Sequence, residues 1–284
     1  MKIKKMLKKS LKSLFAFIVK LCQSLMSVFI VITKTDLRNH IPLIKDAGPL
    51  TILANGPSLK DVISNLDNSK CDFCVVNDFY LSPYYKIIKP RFHVLADPLY
   101  FVQSGDIEPF IKAIDWDIVL YVPYGAWKKM EILHNMPSKH ITVIPFHHKY
   151  MKGFDSFELF LFKHGLSMPG AQNVLVPSIF NAINMGYKDI YLYGADHSWT
   201  KSIRVNDLNQ VCLTDSHFYD EGDVKLAPWR KATAGREIYK MHEILTDLTT
   251  VFKSYHIIRK YANLRNCSII NKTKDSFIDA FERA

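Results

Sequence analysis

From residue 50 onward, short apolar runs alternate with stretches of helical spacing, and this alternation constrains the fold more than any other feature of the chain. The runs are 50–54 (LTILA), 73–77 (FCVVN), 92–96 (FHVLA), 117–122 (DIVLYV), 140–145 (HITVIP), 189–194 (DIYLYG) and 267–270 (CSII). Several are almost continuously apolar, which is the pattern of parallel strands covered by helices on both faces. Helical stretches fall at 58–66, 106–114, 126–135, 172–186 and 233–254. The alternation predicts an α/β fold built on a doubly wound, mostly parallel, Rossmann-like sheet.

In such sheets ligands bind beyond the C-terminal ends of the strands. The ends carry Asn55-Gly56, Asn77-Asp78, Asp97-Pro98, Pro123-Tyr124 and Gly194-Ala195-Asp196-His197. One polar strand end is usually a turn or cap; five along one sheet predict a site. At the first, the run 50–54 stops in Asn55-Gly56-Pro57-Ser58, where glycine permits unusual backbone and proline suits a first helical turn. Such a corner can aim N–H groups at an anion, or be only a turn. The loop 165–172 could do the same at the start of a helix ending at Gly186, a fitting C-cap, or be a plain connection.

The net charge of +10 suggests an anionic partner. Its location narrows the choice, because the first twenty residues, MKIKKMLKKSLKSLFAFIVK, hold seven lysines and no acid. Beside an apolar stretch, 14–32, such a tail points to anionic lipid. No nucleic-acid-binding signature is present, so no nucleic-acid partner is expected. Residues 1–40 are therefore expected to be a basic, amphipathic, membrane-associating helix, set before a folded domain at 41–284. A signal peptide lacks a convincing cleavage site, and a spanning anchor carries Lys20 at a cost. An interfacial helix with snorkelling lysines fits best, against the alternative of packing on the domain or on a partner subunit. The basic flank predicts a cytoplasmic domain, so the expected location is the cytoplasmic face of an inner membrane, peripheral or by a single anchor.

The five cysteines are widely spaced and suggest no disulfide framework. Cys71 and Cys74 match C-x-x-C, but they open an apolar run and read as a core strand. Asp115-Trp116-Asp117 fits D-x-D, yet it lies at the start of a strand, the wrong end for a site, and reads as structural. No metal motif is strong, and no Walker, G-x-G-x-x-G or G-x-S-x-G sequence occurs. Residues 214–222 (TDSHFYDEG) place His217 among Asp215, Tyr219 and Asp220, so that a carboxylate could orient a histidine base. His147-His148 and His197 are rivals for that role.

Taken together, six segments in order resemble the bacterial sialyltransferases of glycosyltransferase family 42 and the related MptE-like domains. They are ILANGPSLKD, VVNDFYLS, VLADPLYF, FNAINMGYKDIYLYGAD, DSHFY and IINKTKDSFIDAFERA, covering about 50–284. The resemblance implies a glycosyltransferase domain that moves a sugar from a CMP-linked donor, sialic acid or a related acidic sugar, onto a bacterial surface-glycan or glycolipid acceptor. It implies inversion, no metal and no cofactor. Carried over by position, it makes Asn55, Gly56 and Asn77 donor contacts. Asp97 stands where the family has asparagine, and Asn173-Val174-Leu175 stand in place of Thr-Ser-Gly. Together with Ser58 and Asp196 at the strand ends, Asp97 and Asn173 complete the expected nucleotide-binding set. His217 is the expected base. Tyr124, Tyr150 and Tyr219 are candidates to stabilise the leaving phosphate, with Tyr219 joining His217 as the catalytic pair. An MptE-like ATP-dependent diphosphotransferase using magnesium, with Asp97 and Asp196 as a carboxylate pair, and a non-catalytic membrane scaffold are the alternatives. A homo-oligomer is compatible with all of these.

Overall fold

The computed structural model describes the 284-residue chain apart from residues 1, 38–40, 68, 102–107, 113, 137, 221, 223–224 and 234, and the side chains of 2–3 and 108–109. In chain order the elements are α1 (Lys2–Lys34), β1 (Leu50–Leu53), β2 (Asp72–Val76), α2 (Tyr84–Ile88), β3 (Phe92–Val94), α3 (Glu108–Lys112), β4 (Ile118–Pro123) and α4 (Tyr124–Trp127). Then follow β5 (Ile141–Phe146), α5 (Asp155–Lys163), α6 (Leu175–Met185), β6 (Asp189–Tyr193), β7 (Arg204–Val205), β8 (Val211–Leu213), β9 (Ala227–Pro228), α7 (Met241–Leu264), β10 (Ser268–Asn271) and β11 (Glu282–Arg283).

Among the described residues one sheet has eight strands in the order β11-β10-β6-β1-β2-β3-β4-β5, and every pairing in it is parallel. The expected doubly wound α/β sheet is therefore the fold. All four residues of β1 are buried, as are the last four of β2, which is why these strands read as apolar runs. The chain builds outward from β1 to β5 and then returns, laying β6 against the other side of β1 with Leu53 opposite Tyr193. The strand order reverses between β1 and β6, and this switch point fixes where a crevice opens. One face of the sheet is covered by α6, all of whose residues are buried, and by α7 beside it over β10.

Several helices differ from expectation. In place of a helix over 58–66 there are two 3-10 turns, Pro57–Asp61 and Ile63–Asn65, broken at Val62. The stretch 126–135 divides into α4 and a 3-10 turn, Glu131–Leu133, because Met130 is extended. Of 106–114, the helical part is Glu108–Lys112, while 106, 107 and 113 fall outside the described residues. The helix expected at 172–186 begins at Leu175 and ends at Gly186, whose φ of 103° makes it the left-handed cap foreseen. The helix expected at 233–254 starts at Met241, after a capping box between Lys240 and Glu243, and runs on to Leu264. The residues before it bridge back across the chain, Arg230 to Ile238. A small antiparallel sheet, β7-β8-β9, has no counterpart among the expected strands.

The N-terminal helix is a single 33-residue element, and among the described residues it is the one helix long and apolar enough to cross a membrane. Its later part contacts the folded domain, and Lys20 forms an ion pair with Asp155 at the start of α5. Lys20, the residue that would burden a spanning helix, thus meets a carboxylate of the domain.

Candidate functional site

A cleft of about 630 Å³ opens at the switch point, within the size range of small-molecule sites. Its floor is the C-terminal edge of the sheet, and Asn55, Gly56, Asn77, Asp97, Asn173, Asp196 and His217 all line it. Residues from separate segments of the sequence are thus brought to one place. Ser58 lies beside them as a partner of Asp196, and Tyr219 lies behind His217.

The ends of β1 and β6 touch. Gly56 N–H donates to the Gly194 carbonyl at 2.9 Å. A Cβ on Gly56 would run into the Asp196 carboxylate and the Gly194 carbonyl. Gly56 has ordinary φ (−63°), so close approach, not backbone freedom, requires glycine here. Asp196 closes the corner: its Oδ2 accepts from Ser58 Oγ at 2.8 Å and its Oδ1 from Ser58 N–H at 3.4 Å. The N–H groups of Gly56 and Ser58 are therefore engaged within the protein. What the corner presents to the cleft is a carboxylate and an absent side chain, where sequence reasoning had looked for free anion-binding N–H groups.

The next two strand ends are also locked. Asn55 Nδ2 donates to the Val76 carbonyl at 3.1 Å, while its Oδ1 is buried without a hydrogen-bond partner. Asn77 takes a left-handed backbone (φ 43°), and its Oδ1 accepts from Ala96 N–H at 3.1 Å. Asp97 Oδ1 caps Leu99 N–H at 2.9 Å. Burial pushes the Asp97 carboxyl above the ordinary carboxylate range; Leu99 N–H opposes this, Asp78 adds to it and Arg236 opposes it. Burial likewise raises Asp196, against the Ser58 hydrogen bonds, and Asp215.

Asn173 belongs to a polar cluster in the wall. Its Oδ1 accepts from Leu175 N–H at 2.7 Å, and its Nδ2 lies 3.2 Å from His197 Nε2. His197 Nε2 is also 2.6 Å from the Tyr255 hydroxyl. Burial drops the His197 pKa to about 3, so this rival histidine is a neutral structural group near pH 7. His147 is buried and bonded to the Asp36 carbonyl, and neither it nor His148 lines the cleft. Tyr124 stacks on Trp127, and Tyr150 bonds Glu158; neither lines the cleft.

His217 arrives on the segment after β8. Phe218 N–H donates to the Asn55 carbonyl at 3.1 Å, and its buried ring packs 5.1 Å from Phe79. This pins the loop to the end of β1. His217 N–H donates to Asp220 Oδ2 at 2.6 Å, which also lies 3.5 Å from the imidazole Nδ1. The Tyr219 ring stacks on the imidazole at 5.1 Å and 7°. Burial, with Asp78, Asp220 and Asp215 nearby, holds the Tyr219 hydroxyl in its protonated form near neutral pH. The arrangement can hold one imidazole face-on to an aromatic ring, with a carboxylate on its Nδ1 side, above a floor of amides and carboxylates.

Sequence reasoning missed Arg230 and Arg236, which also line the cleft, Arg236 near enough to Asp97 to favour its ionised form. Their only sequence signal is the local basic stretch WRKATAGR. Cys74 is a buried residue of β2 and Cys71 contacts Thr51, as a core strand requires. Asp115 and Asp117 pair with Lys89 and His140 at the entry to β4.

Fold and cleft define a Rossmann-like α/β protein with a polar crevice at its switch point. No protein-family model matches the sequence, and no curated protein matches it significantly. Among solved structures, the chain is similar to the sialyltransferase CstII from Campylobacter jejuni, described in complex with the substrate analogue cytidine-5'-monophosphate. The identity is 18%, the TM-score 0.45, and 83% of this chain and 84% of that one are covered. It is also similar to an alpha-2,3-sialyltransferase from Campylobacter jejuni in apo form, at 15% identity and TM-score 0.36, covering 87% and 83%.

Proposed function

We propose that the protein is a glycosyltransferase that moves a sugar from a nucleotide-activated donor, CMP-linked in the first instance, onto a surface-glycan or glycolipid acceptor at the cytoplasmic face of a membrane. The observation that carries this reading is the pinning of the His217 loop, through Phe218 N–H, to the carbonyl of Asn55 at the switch point. It supports the reading by bringing one histidine into the cleft that Asn55 and Asn77, which the family resemblance assigns to the donor, line together with the strand-end carboxylates Asp97 and Asp196.

In the proposed reaction His217 takes the proton of an acceptor hydroxyl. The freed oxygen forms a bond to the anomeric carbon from the face opposite the nucleotide, the bond from that carbon to the phosphate oxygen breaks, and CMP leaves with its electron pair. Asp220, on the Nδ1 side of the ring, steadies the imidazolium formed. Tyr219 holds the ring plane by stacking. No metal enters this scheme. A second reading, an MptE-like diphosphotransfer from ATP with magnesium, draws on the carboxylates of the cleft, Asp78, Asp97, Asp196 and Asp215. Against it stand the burial of Asp97 and Asp196, which opposes their ionisation, and the Ser58 bonds that occupy Asp196.

A thermal-shift panel with CMP, CDP, UDP, GDP and ATP, each with and without magnesium, tests this. Stabilisation by CMP without metal is expected. A response to ATP with magnesium alone overturns it in favour of diphosphotransfer, and no response to any nucleotide favours a scaffold. His217→Ala is expected to lower transfer by about 10²–10⁴-fold while leaving the nucleotide response intact. Undiminished turnover removes His217 from the mechanism.

A further inference from the structure

The N-terminal helix is amphipathic in the reverse of the usual sense. Its polar face is turned to the protein. Lys20 pairs with Asp155, Ser24 Oγ accepts from Phe154 N–H at 3.1 Å, and Ser27 Oγ donates to the Lys152 carbonyl at 2.7 Å. Gly153 lies so close to Ser24 that a Cβ there would collide with it. Ile30 and Val31 pack on the small cluster of Met151, Leu161 and Leu166.

The apolar face points away from the domain. Leu7, Leu11, Leu14, Ile18, Leu21 and Leu25 follow one another in alternating steps of four and three, so they form one stripe. They range from 40% exposed at Leu21 to 63% at Leu25, and Ile32, at 72%, extends the stripe. From Leu7 to Ile32 it runs about 38 Å at 1.5 Å per residue. Soluble surfaces rarely carry a continuous apolar strip of this length.

Charge decides what covers it. The first twelve residues hold six lysines, and the first acid in the chain is Asp36. A second copy of this helix laid parallel would bring lysine cluster beside lysine cluster, and an antiparallel one would set the lysines against the uncharged residues 21–33; neither supplies a carboxylate, the first being Asp36. An anionic lipid surface matches both features, lysines for headgroups and the stripe for acyl chains. By helical spacing Lys4 and Lys8 flank the stripe on one side, where they can reach headgroups, while Lys5, Lys9 and Lys12 lie away from it.

Docking also decides how the helix meets the bilayer. A span needs about 20 apolar residues. The contacts at Lys20, Ser24 and Ser27 tie the second half to the domain, and the part before Lys20 is too short and too basic to span. We infer that α1 lies in the plane of an anionic bilayer surface, stripe inward, clamped to the domain through its polar face, so that it sets the side of the domain that faces lipid. This rests on the membrane-associated part of the reading above and adds its geometry; it does not depend on the reaction.

The test uses the full chain and flotation with vesicles of phosphatidylglycerol and phosphatidylcholine, against phosphatidylcholine alone. Binding to the first and not the second is expected. Leu14→Glu together with Leu25→Glu should abolish it with the far-ultraviolet dichroism and the CMP response unchanged. For geometry, an environment-sensitive label is placed on Cys22 in a Cys71→Ser chain, and on Leu11→Cys and Ile32→Cys in a chain also lacking Cys22. Equal, shallow quenching by brominated lipid at all three positions is the expected result. Deep quenching at Cys22 with both ends at the surfaces means a spanning helix and overturns the inference. So does failure to float, with or without concentration-dependent self-association. A CMP response in a chain that fails to float leaves the transferase reading standing.

Discussion

Two regions of this molecule depart from the usual distribution of polar and apolar groups, in opposite directions. The switch-point cleft buries polar groups: Asp97 and Asp215 are pushed above the ordinary carboxylate range by burial, and Asn55 Oδ1 is buried without a partner. The N-terminal helix exposes apolar ones, from Leu7 to Ile32. Both arrangements cost free energy, since buried polar groups lose water and exposed apolar surface orders it. The two are held very differently. Cleft residues are fixed by interlocking bonds at the strand ends, whereas the outward stripe makes few contacts. The difference teaches that the cleft is built into the joints of the fold, while the stripe is a surface appended to it.

The ordinary core supplies a yardstick for that contrast. Phe180 of α6 is fully buried, stacked on Tyr261 at 5.4 Å and edge-on to Phe162. Phe180→Ala should cost about 3–5 kcal/mol in a denaturant titration. A loss comparable to a surface substitution would show that α6 does not carry the core. Next comes Gly56→Ala, which drives a methyl group into Asp196 and the Gly194 carbonyl. It should cost about 1–3 kcal/mol and remove the nucleotide response. Unchanged stability would mean that the strand ends are not tightly joined.

A smaller and opposite effect is expected of Asp97→Asn. Because its folded pKa is raised, the Asp97 contribution is fully present below the ordinary carboxylate pKa of about 3.9 and is lost as pH rises through the folded value. The amide escapes that loss. The variant should therefore melt higher than the parent at neutral pH, with the gap closing below about pH 4. A gap that is constant with pH would refute burial as the cause. Least of all should change on Leu25→Ala, within about 0.5 kcal/mol of the parent in solution, while its binding to anionic vesicles weakens. A large loss of solution stability would show that the stripe is covered by the protein itself.

The sheet was legible because its strands are buried on both faces and so stand out as apolar runs; the bounds of β1, β2 and β6 shift by one residue at most. The small sheet β7-β8-β9 was not, since strands of two or three residues such as Arg204–Val205 have no periodicity to read. The helix α5 was missed because nine residues with Phe157, Leu159, Phe160 and Phe162 show no clean apolar face. In the cleft, Asn55, Asn77, Asp97 and Asp196 could be found by one rule, that ligands gather at strand ends. Arg230 and Arg236 could not, because they reach the cleft from an irregular segment whose path is set by its packing against Ile244 and Leu248 of α7.

Sequence by itself determined the parallel α/β sheet, the polar character of its strand ends and the basic, apolar nature of the first helix. These are local properties, written in the order and periodicity of neighbouring residues. Tertiary structure alone decided that Gly56 is glycine because two strand ends meet, that His217 is half-buried at the cleft while His197 is locked neutral in its wall, and that Lys20 turns inward and leaves the apolar stripe outside. Each of these depends on contacts between residues far apart in the chain, where packing and burial, not local propensity, set the free energy.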